Sequence, residues 1–83
     1  MGKIFGSNQL IKCVLSLGCK LNRANSSHEI FDIPENIKPI IDGERPYIVI
    51  QTGRKQFDRH SCSRYLSQLK AKGFKKEDIE KYL

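Results

Sequence analysis

Cys19-Lys20-Leu21-Asn22-Arg23-Ala24-Asn25-Ser26-Ser27-His28-Glu29-Ile30-Phe31-Asp32-Ile33 is the stretch that decides the fold. In its first half Cys19 and Leu21 alternate with polar neighbours, which predicts a short strand, 19–24, with one face inward. Asn25-Ser26 favours a turn, because these short polar side chains hydrogen-bond nearby backbone. From Ser27 to Ile33 the period of two returns. Phe31 and Ile33 fall on one face, and His28, Ile30 and Asp32 on the other. The stretch reads as two strands joined by a tight turn, and Pro34 ends the second strand or marks an edge.

Working outward, Tyr47-Ile48-Val49-Ile50 is the clearest strand in the chain. Its run is apolar on both faces, which predicts a strand flanked on both sides or shielded by a partner. Between these strands, residues 34–46 stay open. Pro34, Pro39 and Pro46 punctuate them, the second strand can resume as far as Ile41, and Asp42-Gly43 is a hairpin-turn pair. Upstream, Leu10, Ile11, Val14 and Leu15 share one face of a helical period. They predict a helix over 8–17, capped by Ser7 and ended by Gly18. Downstream, residues 52–59 read as a basic loop. Cys62, Tyr65, Leu66 and Leu69 then mark a second helix that ends at Gly73, with Phe74 behind it. Ile79, Tyr82 and Leu83 carry a short last helix, with Glu77 and Asp78 in its first turn. The expected fold class is α+β. A three-stranded antiparallel sheet carries helices on one face, in the order α-β-β-β-α and a final short α.

The chain has 83 residues, enough for one small domain over 1–83. At this size only roughly 60–65% of the unfolded surface is hidden on folding, so the core must be thin. Hydrophobic residues make up 39% and charged residues 29%, a globular composition. No apolar run reaches the ~20 residues of a membrane span. Met1-Gly2-Lys3-Ile4-Phe5-Gly6 has no apolar signal-peptide core, and Gly6 misses the Ser or Thr of a myristoylation signal. The expectation is a cytoplasmic protein without a membrane partner. Cys13, Cys19 and Cys62 are odd in number and lack C-x-x-C spacing. They read as reduced, buried thiols, with neither a disulfide framework nor a metal site.

The net charge is +6, and it is unevenly spread. Residues 29–44 carry five acidic side chains against Lys38, whereas residues 45–76 carry nine basic side chains against Asp58. A positive surface from the third strand, its following loop and the second helix would attract phosphate. The plainer reading is a solvated helix exterior. Arg54, Lys55 and Arg59 lie in the loop, where no helical period explains them, and they favour nucleic acid. Tyr47, Phe57 and Tyr65 are available for base stacking, although Tyr65 also fits the core.

His28 sits where the turn enters the second strand. Imidazole titrates near neutral pH and serves as proton donor or acceptor. A metal-free ribonuclease needs a base for the ribose 2′-OH and an acid for the leaving oxygen. In an antiparallel sheet the third strand ends beside the start of the second. His28 and the cations of the 52–59 loop are therefore expected at one end of the sheet, with His60 as a weaker second proton-transfer candidate.

Arg23-Ala24-Asn25-Ser26-Ser27-His28-Glu29-Ile30-Phe31 resembles the R-x-x-G-S-H-x-x-F stretch of HicA-type toxins. These are small mRNA interferases with a fold like a double-stranded-RNA-binding domain, partnered by HicB antitoxins. The family's opening helix with its Gly is similar to residues 8–18. Its basic helix, Gly-plus-apolar end and short last helix are similar to the region through Gly73-Phe74 and Glu77 to Leu83. The resemblance implies a toxin–antitoxin endoribonuclease without cofactor or metal, acting on mRNA through His28, with Ser27 and Arg23 close to it. Arg54, Lys55, Arg59 and Lys70 join the expected RNA-binding set. The family's Gly is Ser26 here, where a left-handed turn would strain the backbone. Its Pro and His after the third strand have no counterpart in Ile50-Gln51-Thr52-Gly53. Two other readings stay open. One is an RNA-binding module of the same fold that does not cut. The other is a protein-interaction domain whose Tyr47–Ile50 strand pairs with another chain.

Overall fold

The turn at Asn25 organises the first two strands. Its Oδ1 accepts the backbone N–H groups of Ser27 at 3.1 Å and His28 at 2.9 Å, and its own N–H donates to the His28 carbonyl at 2.9 Å. One short side chain thus satisfies two backbone donors that a tight turn leaves free. In the computed structural model, which describes residues 4–40 and 43–83, the turn needs no left-handed residue. Among those residues only glycines have positive φ, so Ser26 closes the turn without that strain.

The elements run α1 (Ser7–Ser16), β1 (Lys20–Ala24), β2 (His28–Asp32), β3 (Tyr47–Gln51), α2 (Arg59–Ala71) and α3 (Lys76–Lys81). The strands form one antiparallel sheet in the order β1-β2-β3. The chain is thus a small α+β protein of the expected element order. Phe31 lies opposite Ile48, and Glu29 opposite Ile50. Phe31, Ile48 and Ile50 join Leu10, Cys13 and Val14 of α1, Cys62 and Leu69 of α2 and Ile79 of α3 in one core. Phe5, Phe57 and Phe74 complete it from the connecting segments. His28, Ile30 and Asp32 lie on the other face of the sheet, opposite Gln51, Val49 and Tyr47. Val49 is 39% exposed there, so this chain covers the apolar β3 run on one face only and does not flank it on both sides.

Three local readings change. Ser7 does not cap α1; Gly6 does, its N–H donating to Gln9 Oε1 at 2.8 Å. Ser7 is instead buried. Its hydroxyl donates to the Gln51 carbonyl at 2.6 Å and accepts the Arg54 N–H at 3.1 Å, tying the start of α1 to the end of β3. Gly6 is required because a Cβ there would overlap the Lys55 carbonyl oxygen. Leu21 faces the core side but is 51% exposed, because β1 is an edge strand with a bulge at Asn22. Cys19, just ahead of β1, enters the core in its place. On α1, Leu15 is 49% exposed and Cys13 is fully buried, so the inward stripe is rotated toward Cys13.

Among the described residues of the 34–46 connection there is no strand, and β2 ends at Asp32. Ile41 and Asp42, on which the longer strand and the hairpin turn depended, lie outside the described residues, as do Met1, Gly2 and Lys3. The connection is pinned to the end of α2. Ile40 N–H donates to the Ala71 carbonyl at 3.0 Å, and the nearly buried Lys72 ammonium reaches Glu44 at 2.7 Å and the Arg45 carbonyl at 3.0 Å. Gly73 adopts φ of 112° and packs its Cα against the Lys38 carbonyl. Helix α2 begins at Arg59, earlier than its apolar stripe shows. Asp58 caps it, accepting the Ser61 N–H at 2.7 Å. Among the described residues no helix is long and apolar enough to cross a membrane.

Candidate histidine site and nucleic-acid interface

His28 opens β2 on the uncovered side of the sheet, and its ring is exposed. Two interactions fix it. The Asn25 side chain holds its backbone N–H, and Ser27 Oγ lies 2.9 Å from Nδ1. If Nδ1 carries the proton and donates to Ser27, Nε2 presents a lone pair and can act as a base. If the Ser27 hydroxyl donates instead, Nε2 carries the proton and can act as a donor.

Antiparallel register then decides the neighbours. His28 pairs with Gln51, the last residue of β3, and Thr52 N–H donates to the Ser27 carbonyl at 2.9 Å. Helix α2 approaches the same end. The Gln51 N–H, pointing away from β2, donates to the Tyr65 hydroxyl at 3.1 Å. A groove of about 390 Å³ forms between sheet and helix. It is lined by His28, Val49 and Gln51 from the sheet, Ser61, Arg64, Tyr65 and Gln68 from α2, and Phe57. Among the described residues Arg64 is its cation, and no carboxylate of those residues lines it.

The other expected residues are placed unequally. Ser27 touches His28. Arg23 pairs with Ile30, on the His28 side of the sheet, but does not line the groove. Arg54 follows β3 as expected, and its backbone is bound to Ser7 on both sides. Its charge, with that of His60, acts on Asp58. That carboxyl is held below its ordinary range, chiefly by the Ser61 backbone hydrogen bond. Lys55 and Arg59 are exposed, and neither lines the groove. His60 lines a separate shallow depression with Ser63, Arg64, Ser67 and Gln68. Arg64 and Gln68 border both depressions, so they separate His60 from His28. Lys70 lies farther round, with Ser67, Lys76 and Glu80. At about 100° per residue it stands about half a turn from Ser61, so the helix carries it away from His28.

Two of the three aromatic candidates are structural. Phe57 is buried, and Tyr65 packs on it at 4.9 Å while its hydroxyl bonds Gln51. Tyr47 is at the far end of β3, hydrogen-bonded to Arg45 at 2.9 Å. Sequence reading missed Gln51, Ser61, Arg64 and Gln68 as a set. The last three share with Tyr65 the spacing i, i+3, i+4, i+7, a signal that appears once α2 is begun at Arg59.

Among the described residues, no three His, Cys, Asp or Glu side chains gather closely enough to hold a metal ion. Cys13 and Cys19 are raised to about 11 by burial. Compared with protein-family models, curated proteins and solved structures, the chain has no significant match.

Proposed function

We propose that the protein is a HicA-like endoribonuclease with a fold like that of double-stranded-RNA-binding domains. In this reading it cleaves mRNA through His28 and is silenced by a HicB-like antitoxin. The observation that carries the reading is the exposed His28 imidazole, held by Ser27 at 2.9 Å, on the rim of a groove that Arg64 makes positive. An imidazole with one nitrogen fixed and the other facing solvent is suited to proton transfer. A guanidinium nearby is suited to a phosphate.

In the proposed reaction His28 Nε2 removes the proton of a ribose 2′-OH. The O2′ attacks the adjacent phosphorus, and the bond from phosphorus to O5′ breaks. The products are a 2′,3′-cyclic phosphate and a 5′-hydroxyl, whose oxygen takes its proton from water or a second acid. Arg64 offsets the charge that grows on the phosphoryl oxygens, the role in which a fixed cation contributes most. Arg23, Arg54, Lys55 and Arg59 would attract the flanking backbone from outside the groove. A protein inhibitor would have to cover the His28 rim.

Induced expression should arrest growth, and His28→Ala should abolish the arrest. Arrest that persists with folded His28→Ala protein contradicts the reading. One observation favours a second reading, RNA binding without cleavage: among the described residues His28 is the only histidine that lines the groove, and no second imidazole stands there as its proton-transfer partner. A protein that retains RNA with salt-sensitive affinity but leaves it intact supports that alternative.

A further inference from the structure

We propose that the groove between β3 and α2 is a subsite for one unpaired nucleotide, with Arg64 taking a phosphate and Gln51 and Gln68 reading the base edge. The proposal deepens the ribonuclease reading and rests on it for the position of the scissile bond, next to His28. The groove, at about 390 Å³, is of the size that takes a single small ligand. Its lining is mixed in a way that fits a nucleotide. Val49, Phe57 and Tyr65 supply apolar and aromatic surface, while Gln51, Gln68, Ser61, Arg64 and His28 supply polar groups.

Three of these polar groups are uncommitted. Among the described residues the side chains of Gln51, Arg64 and Gln68 make no hydrogen bond and no ion pair. Gln51 and Gln68 are only partly exposed, so each holds donor and acceptor capacity over one depression. Gln51 is also fixed in position, because its N–H and carbonyl are bound by the Tyr65 and Ser7 hydroxyls. A carboxamide offers a donor and an acceptor side by side, the pattern that the edge of a nucleobase presents in return. Among the described residues no carboxylate lines the groove to satisfy Arg64, and a phosphate supplies that anion.

The nucleotide has to be unpaired. In an A-form duplex the base edges are turned toward a partner strand, and sequence-specific RNA recognition falls on splayed single strands. In-line attack by the 2′-OH also requires a backbone free to align the reacting atoms.

The test uses the full chain carrying His28→Ala, so that RNA stays intact during binding. The probes are four labelled single-stranded 12-mers, each of one base, and one mixed-sequence 12-mer with and without its complement. The mixed single strand should bind about tenfold tighter than its duplex. Added Arg64→Ala should weaken single-strand binding about tenfold and lower the salt slope by about one. Added Gln51→Leu with Gln68→Leu should change the ranking of the four bases and leave the salt slope alone. Gln68→Met, which keeps the length of the side chain and removes its donor and acceptor without adding charge, should change the ranking in the same sense and serves if the double variant does not fold.

Equal affinity for duplex, no effect of Arg64→Ala, or an unchanged base ranking overturns the subsite. So does a groove that binds an acidic protein segment and no RNA. The two readings fail separately. Wild-type protein that cuts RNA while the Arg64 and Gln variants change nothing retains the nuclease and loses the subsite. Base-dependent binding without cleavage retains the subsite and loses the nuclease.

Discussion

The contact between Ser27 Oγ and His28 Nδ1, at 2.9 Å, is a single hydrogen bond between exposed side chains. Such a bond contributes about 1 kcal/mol, roughly fivefold in a rate. In the proposed reaction Ser27 is a positioning residue, because it acts through the ring. Ser27→Ala should therefore lower kcat about fivefold, leave KM nearly unchanged and alter the pH profile of cleavage; Ser27→Thr should restore most of the loss. A change in KM alone would remove Ser27 from this role. The thiols give an independent check on the packing. Burial raises Cys13 and Cys19 to about 11, so almost none of either is thiolate at pH 8. Alkylation at pH 8 should be slow in the folded protein and fast in denaturant. Rapid labelling of the folded protein would show that this part of the core opens. At this scale much was legible: the Asn25 turn and the exposure of His28 follow from residue type and period. Ser7 was not legible, because the same hydroxyl suits a cap or a distant carbonyl, and only tertiary approach of the Gln51 carbonyl decides between them.

Among the elements, α2 matters most, since it brings Arg64 and Gln68 to the sheet. Its start depends on Asp58, whose carboxylate accepts the Ser61 N–H at 2.7 Å. The folded carboxyl lies below its ordinary value of 3.8. The cap therefore stabilises fully above that value, and its contribution is lost as pH falls through the folded value. Asp58→Ala should lower the Tm at pH 7, and the gap from wild type should close as the medium is acidified below pH 3.8. A gap that stays constant with pH would mean that the carboxylate charge is not what stabilises the helix. The three strands and three helices were legible from period and punctuation, and the strand limits moved by a residue or two. The β1 bulge was not, because Cys19 and Leu21 alternate as a regular strand would, whereas the register slips between Leu21 and Arg23. The start of α2 was obscured for a related reason: its first turn, Arg59-His60-Ser61, is polar, so charge hid the helix.

For the whole molecule, the core and the proposed site divide the sheet. One face carries Phe31, Ile48 and Ile50 into the core, and the other carries His28. Phe31 is 1% exposed at the centre of the sheet. Phe31→Ala should cost about 3–5 kcal/mol. That is much of the stability of a domain this small, where about 5 kcal/mol is common. Denaturant unfolding measures it, and a cost under about 1 kcal/mol would show that the sheet centre is loosely packed. The charge imbalance was readable as a property of residues 45–76, but not its partition over the surface. Lys72 turns inward to Glu44, Lys70 faces away from His28, and Arg64 alone enters the groove. Helical phase decides that partition, and the phase depended on a helix start that the apolar stripe did not mark.

In the proposed function, His28 cuts RNA. The most direct test of this is end-group analysis of a single-stranded RNA incubated with purified wild-type and His28→Ala protein at neutral pH, in the absence of added metal. Wild type should give fragments ending in 2′,3′-cyclic phosphate and beginning with 5′-hydroxyl, and a folded His28→Ala variant at least a hundredfold less product, the scale on which general acid–base groups act, roughly 10²–10⁴. Equal product from both proteins, or RNA left intact by wild type that binds it, would contradict that function.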